Sequence, residues 1–324
     1  MKGNDTKKSG TPGRPELRTA LVTGASSGFG MHICIELARS GVRVAAGMRR
    51  PEAAEKLFAA VREADLAAAG EERTGLGIGR AESLQALGTG PVSGLIFPLR
   101  LDVCDDPRVK EAVDTVYGHF GRIDILVNNA GLAIGGFIGE VPMDAWREQF
   151  AVNVFGLIAV TGAVVPYMRE ARSGCIVQMS SVSGAIGLPG YGPYVSSKFA
   201  LEGFSESLAL ETAPYGIRTY VLEPASYKTD IWEKGFAGIH RAEGSPNAEV
   251  LGRMLDMSRA SAEKGGDPRD VARLAADLAL GRKGRGRFRY VVPRGSALLV
   301  ALKKRLPFRL VQKVMLRILR RGMK

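Results

Sequence analysis

The 324-residue sequence predicts an α/β fold, a doubly wound parallel sheet of about seven strands with helices on both faces. Two observations carry that reading. Seven short apolar runs are spaced along the chain, and stretches of helical periodicity separate most of them. Strands that alternate with helices pair in parallel through right-handed crossovers, and the helices then cover both sheet faces. Apolar residues make up 45% of the chain, enough to bury a full core in one large domain or two small ones.

Residues 1–17 are polar, bear Gly and Pro, and contain no apolar stretch. They are expected to be disordered, and without a secretory apolar segment the expected location is the cytoplasm. Arg18–Thr23 is the first strand and ends at Gly24; Met31–Arg39 follows as a helix, and Val42–Met48 as the second strand. Seven glycines between Gly70 and Gly94, with little periodicity, read as a flexible surface insertion. Its Gly75–Gly79 pattern has no strand before it and is not taken as a phosphate loop. Leu95–Val103 and Ile123–Asn128 are the third and fourth strands. Phe150–Met168, the longest uncharged run, contains Asn153, Gly156, Gly162 and Pro166 and reads as a buried helix rather than a membrane span. Ile176–Ser180, Arg218–Glu223 and a weaker Arg289–Val292 complete the strands of a domain expected over 18–295. Within it, 230–265 carries Trp232, Phe236, Ile239 and several glycines, the composition of a mobile apolar lid over a hydrophobic substrate.

Composition narrows the function. Cys34, Cys104 and Cys175 sit in apolar runs and do not make a disulfide framework, and His32, His119 and His240 lack any metal-ligand spacing. The net charge of +12 is local: residues 281–324 hold 15 of the 45 Lys+Arg and no acid, leaving 30 basic against 33 acidic side chains in the first 280 residues, a net of −3. In the tail, 296–324, Leu298, Leu299, Leu302 and Leu306 mark one short amphipathic helix, which Pro307 breaks. Arg309, Lys313, Arg317 and Arg320 then step along one face of a second, with Val311, Val314, Met315, Ile318 and Leu319 roughly opposite. That pattern fits an interfacial helix on an anionic membrane surface, or a terminal helix docked on its own domain or a dimer mate. No nucleic acid is expected, because the tail lacks interleaved aromatics and the body shows no nucleic-acid fold.

Thr23–Gly30 reads TGASSGFG between a strand and a helix. A dinucleotide pyrophosphate needs close backbone approach, which Gly24, Gly28 and Gly30 allow, and it gains from the free N–H groups of a helix N-terminus. The second strand ends in Arg49 and Arg50 with no carboxylate to accept from a ribose 2′-OH. Arg49, the better candidate, can pair with a 2′-phosphate, so NADP(H) is expected over NAD(H). Tyr194 and Lys198 share a helix face at i, i+4. A free tyrosine, with pKa ~10, is a poor base, and a neighbouring ammonium is expected to lower that value and let it exchange a proton with an alcohol or ketone. Ser181 closes the fifth strand at its carboxyl end, where a hydroxyl can bond a substrate oxygen.

With Asn128–Gly131 (NNAG) after the fourth strand and Asn153 further on, these motifs resemble, in order and spacing, the short-chain dehydrogenase/reductase family over about 18–295. The GFG turn and the EPASYKTDIW stretch are similar to its steroid/retinol-type branch. The resemblance implies a Rossmann-type fold with Tyr194 as acid/base, Lys198 holding the nicotinamide ribose, and Ser181 orienting the carbonyl. It also implies that Asn153 holds a relay water and that Asn128 braces the central strands. It places cofactor contacts on Gly24, Ser26, Ser27, Gly28, Phe29, Gly30, Asp102, Val103, Asn129, Ala130, Gly131 and Thr229, besides Arg49, Tyr194 and Lys198. Ala225 stands where the family often has glycine before that threonine. The implied activity is oxidoreduction of a hydrophobic alcohol or ketone by a homodimer or tetramer, with stretches around 146–172 and 194–213 pairing subunits. The alternatives are a cofactor-binding but catalytically silent regulatory protein or a membrane-surface protein.

Overall fold

The computed structural model describes residues 17–69, 85–284 and 286–320. Seven strands, β1 (Thr19–Thr23), β2 (Arg43–Met48), β3 (Ile96–Arg100), β4 (Ile125–Asn128), β5 (Gly174–Met179), β6 (Ile217–Pro224) and β7 (Arg289–Val292), form one sheet in the order β3-β2-β1-β4-β5-β6-β7. Every neighbouring pair is parallel. The chain runs outward from β1 to β3, then returns to place β4 on the other side of β1. This reversal opens a crevice at the strand carboxyl ends, where ligands of open α/β sheets bind.

The helices are α1 (Gly28–Arg39), α2 (Glu55–Ala69), α3 (Asp106–Phe120), α4 (Met143–Phe150), α5 (Leu157–Glu170), α6 (Gly192–Thr212), α7 (Ile231–Ala237), α8 (Ala248–Glu263), α9 (Pro268–Ala279), α10 (Arg294–Arg305) and α11 (Phe308–Arg320). Alternation along the strands sends neighbouring side chains to opposite layers. Val22, Val127 and Val177 pack with Ile33 of α1 and Val271 of α9; Leu21, Leu126 and Ile176 pack with Val113 of α3 and Val164 of α5. Both faces are therefore buried, which is why β1 reads as an uninterrupted apolar run. Local chemistry sets the helix ends. The Asp105 carboxylate accepts from Arg108 N at 3.3 Å to open α3, and Gly121, at φ 73°, closes it.

Three sequence expectations change in detail. The first helix starts at Gly28 rather than Met31, because the glycine turn itself winds into it. The third strand is shorter than Leu95–Val103: residues 93–95 form a tight turn, and past Arg100 the Asp102 carboxylate accepts from Cys104 N at 3.1 Å and bends the chain. The insertion expected over 70–94 lies partly outside the described residues, and its described end is packed rather than free. Leu87 and Val92 are buried in the core, and the Asp65 carboxylate of α2 accepts from Val92 N (2.7 Å) and Ser93 N (3.1 Å). The 1–16 start lies outside the described residues. The uncharged run over 150–168 is helical but buried on one face only: Met143–Glu170 is long and apolar enough to cross a membrane, Leu157, Val160, Val164 and Met168 seat it on the sheet, and Phe155 and Ile158 are exposed. Between α4 and α5 it passes through a π-helical segment, Ala151–Gly156, that contains Asn153.

Candidate active site

Four chain segments meet above the crevice. The Thr23 hydroxyl accepts from Asn129 N and from Ala130 N, each at 3.0 Å. Asn129 Nδ2 donates back to the carbonyls of Thr23 (3.0 Å) and Gly24 (3.1 Å). The glycine turn and the Asn128–Gly131 loop are thus one stitched unit. A Cβ on Gly30 would strike the Gly24 carbonyl and the Asn129 amide, so packing alone accounts for that glycine. Gly28 differs: at φ 55° its Cβ would meet only the Thr229 side chain, at 3.5 Å. It stands in the first turn of α1, whose opening amides precede the first intrahelical bond, Met31 N to Ser27 O at 3.3 Å, and which carries no acidic side chain. A bare helix N-terminus fronted by a glycine fits a dinucleotide pyrophosphate. Ser26, Ser27 and Phe29 lie half-buried along the same turn, and Phe29 sets its edge on Tyr227 at 5.6 Å.

Arg49 and Arg50 emerge exposed from the end of β2 and make no ion pair among the described residues. The Arg49 charge reaches the Cys104 thiol, so Arg49 stands beside the turn that holds Asp102 and Val103. Asp102 is half-buried and its carboxylate makes that turn; Val103 is buried.

Ser181 follows β5 and its hydroxyl accepts from Ser183 N at 3.1 Å, capping the short 182–184 turn. Tyr194 and Lys198 lie in the opening turns of α6 on one face, with Nζ of Lys198 5.7 Å from the Tyr194 ring centre. Lys198 is buried and donates to the Met179 carbonyl at 2.8 Å. Burial pulls its ammonium down to about 8, while the Glu202 charge one turn onward acts the other way. Burial pushes the Tyr194 hydroxyl above the ordinary phenol value, an effect that its hydrogen bond with Ser181 partly offsets. The expectation that Lys198 lowers the Tyr194 pKa is therefore not met: burial raises it, and the opposing influence is the hydrogen bond with Ser181.

Asn153 is buried and fully committed. Its Oδ1 accepts from Leu132 N (2.9 Å), and Nδ2 donates to Leu132 O (3.0 Å) and to the Ser197 hydroxyl (3.1 Å), which itself donates to Tyr194 O at 2.7 Å. Asn128 donates to the Thr161 hydroxyl of α5 at 2.8 Å. Sequence reasoning missed Gln149, which fixes the same loop by accepting from Ile134 N (2.7 Å) and donating to Leu132 O (2.8 Å). It also missed Glu202, although its i, i+4 spacing from Lys198 is visible in the sequence.

The 228–265 excursion closes on itself at its base, where Tyr227 pairs with Gly266 through Lys228 N to Gly266 O (3.1 Å) and Gly266 N to Ser226 O (3.1 Å). Asp230 pairs with Lys56 of α2 at 2.7 Å. Burial alone would raise the Asp230 carboxyl; hydrogen bonds from Lys56 and the Ser27 hydroxyl, with the Lys56 charge, hold it below the usual carboxylate range. A cavity of about 310 Å³ opens between Phe137, Ile138, Leu188, Pro189 and Asn247, beside Gly192 at the start of α6. Among the described residues no His/Cys/Asp/Glu group could hold a metal ion.

The sequence profile of the short chain dehydrogenase family matches residues 18–72 and 77–239, more than half of the chain. An uncharacterized oxidoreductase, YusZ, of Bacillus subtilis (strain 168) is 39% identical over 293 residues, which are 90% of this chain and 94% of that protein. An NADPH-dependent 3-dehydrocapnine reductase of Ornithobacterium rhinotracheale is 30% identical, across 92% of this chain and 96% of its own. A short chain dehydrogenase/reductase from Burkholderia phymatum, solved in complex with NAD, superimposes with a TM-score of 0.69 at 25% identity, over 89% of this chain and 92% of that one.

Proposed function

Because the chain belongs to the short-chain dehydrogenase/reductase family and is an NAD(P)-dependent oxidoreductase, we propose that it interconverts a hydrophobic secondary alcohol and its ketone, steroid-, retinoid- or lipid-like, using NADP(H). One observation carries the chemistry: Tyr194, hydrogen-bonded to Ser181 and one helical turn from the buried Lys198, sits at the carboxyl end of β5 in the crevice fronted by the glycine turn. When bound, the nicotinamide supplies or accepts the hydride at the carbonyl carbon. Tyr194 gives the carbonyl oxygen its proton in reduction and takes it back in oxidation. Its raised pKa keeps it protonated at neutral pH, the form that reduction uses. Ser181 donates to the same oxygen as charge develops on it. Lys198 would hold the ribose of the bound cofactor and, linked to solvent through a water, would return to Tyr194 a proton taken from solvent.

Asn153 acts here as a brace for Leu132 and Ser197. Its side chain is spent on protein partners, so contact with a relay water falls to its main-chain carbonyl in the π-helical segment, a geometry frequent at functional sites. Thr229, facing Gly28 across the turn, and Asp102 with Val103 complete the cofactor cradle. Arg49, exposed and without an ion pair among the described residues, supports NADP(H), and so does the NADPH-dependent relative; the NAD complex of the Burkholderia protein is the opposing precedent. The aromatic pair Trp232–Phe236 at the cleft supports a hydrophobic substrate. A homo-oligomer joined through α5 and α6 is supported by the exposed Phe155, Ile158 and Leu210.

The test is a panel of lipophilic ketones and alcohols run with NADPH and NADH in parallel. Wild type is expected to turn over and to prefer NADPH. Tyr194→Phe should lose at least a thousandfold in kcat while still binding cofactor, consistent with the ~10²–10⁴-fold worth of a general acid plus its hydrogen bond. Arg49→Ala should lose the NADPH preference. Tight cofactor binding without turnover across the panel would support a silent regulatory protein instead, and a wild-type preference for NADH would remove Arg49 from the site.

A further inference from the structure

Helices α10 and α11 leave much of their apolar surface uncovered. On α10 Leu298 and Leu299 are 69% and 64% exposed, and Leu302, one turn on, is 50% exposed, whereas Val300 is buried against the protein. On α11 three stripes run side by side at the helical spacing of four residues. Val311, Met315 and Leu319 turn inward, with Leu319 only 8% exposed. The next stripe, Leu310, Val314 and Ile318, lies in solvent, and beyond it run the exposed Arg309, Lys313 and Arg317. Docking on the domain therefore uses up one apolar stripe and leaves the second flanked by cations. The charge of that surface fixes its partner: residues 294–320, which form the two helices, hold eight Lys+Arg and no acid. A second copy would bring the same cations face to face, and like charges in contact repel. An anionic lipid surface instead offers acyl chains to the leucines and phosphates to the arginines and lysines.

The position of α10 and α11 relates them to the substrate side of the cleft. Lys303 Nζ of α10 donates to the Ala185 carbonyl at 2.7 Å, in the loop that leads on from Ser181, and stands 5.5 Å above the Phe199 ring of α6. Helix α11 packs on α8, the second helix of the 228–265 excursion. We propose that α10 and α11 form an interfacial anchor for an anionic bilayer and hold the substrate side of the cleft at the lipid. The anchor stands on its own geometry; only the delivery of substrate from the lipid rests on the reading of a hydrophobic alcohol or ketone.

The experiment is co-sedimentation of the full chain with phosphatidylcholine vesicles, with and without phosphatidylglycerol. It is repeated for Leu310→Gln/Val314→Gln/Ile318→Gln and for Arg309→Gln/Lys313→Gln/Arg317→Gln. All six positions are exposed or in contact with solvent, and NADPH binding and oligomeric state in vesicle-free buffer check that each variant keeps its fold. Wild type should prefer the anionic vesicles and lose that preference in high salt. The charge variant should weaken binding about a hundredfold, as ~1 kcal/mol per cation implies, and the apolar variant about tenfold or more. Wild-type binding that ignores phosphatidylglycerol, or variants that bind like wild type, would overturn the proposal. So would an apolar variant that changes oligomeric state without changing lipid binding, because the stripe would then be a contact between copies. None of these readings requires turnover, so a failed activity panel and a failed anchor remain separate results.

Discussion

Burial works against both members of the Tyr194–Lys198 pair, and it does so through loss of water rather than through their mutual attraction. Lys198 is held at about 8 in the fold against 10.5 in the unfolded chain. Below about pH 8 both states carry the proton, so the cost of the buried ammonium is present in full; it is relieved as pH rises from about 8 toward 10.5, where the unfolded chain still holds its proton. At 1.36 kcal/mol per unit this amounts to about 3 kcal/mol. Lys198→Met is therefore expected to raise the Tm at pH 7 while abolishing turnover, with the gain shrinking as pH rises from about 8 and gone near 10.5. A variant less stable than wild type at pH 7 would show that the bond to Met179 outweighs desolvation. Spacing made Tyr194, Lys198 and Ser181 legible in the sequence. The direction of the Tyr194 shift was not, since the segments that exclude water from it arrive from four distant parts of the chain.

Elements were legible where one physical rule dominates. Apolar runs marked all seven strands, most clearly in the central ones, because a parallel strand buried on both faces has no other way to read; the edge strands β3 and β7 are only partly buried and gave weaker runs. Errors came where a side chain far along the sequence decides the local path. Asp65, unremarkable within α2, is 2% exposed and takes the amides of Val92 and Ser93, so the end of a glycine-rich stretch that looks mobile is pinned in the core. Asp65→Ala leaves two buried donors without an acceptor, each costing ~1–3 kcal/mol. A Tm loss of several degrees is expected in thermal unfolding, and Asp65→Asn, which keeps an acceptor, should recover part of it; equal Tm values for wild type and Asp65→Ala would deny the pinning role. The π-helical segment around Asn153 had no sequence signal, because nothing in AVNVFG departs from ordinary helical composition.

At the scale of the whole molecule, charge and apolar exposure divide the surface. The cations concentrate at one end of the chain, and the α5–α6 side shows Phe155 at 62% and Leu210 at 78% exposure. Large apolar side chains left this exposed are candidates for contact surfaces. For the proposed homo-oligomer, Phe155→Glu, in the π-helical segment that leads into α5, is expected to give smaller species in sedimentation velocity with NADPH binding intact; an unchanged sedimentation coefficient would remove that segment from the subunit contact. The tail's two-sidedness was visible in the sequence, but which apolar stripe docks and which stays open depends on the surface that α8 presents to α11.

The pairing of Tyr227 with Gly266 has an evolutionary and engineering consequence. Since the chain leaves and rejoins the domain at two adjacent points, the part of the excursion beyond Thr229, Asp230 and the Ile239–Gly135 bridge can vary in length without disturbing the sheet's carboxyl edge. The segment is in effect an exchangeable cassette: specificity can be rewritten by transplanting another loop onto the same two anchor points, while the machinery for moving a proton stays as it was.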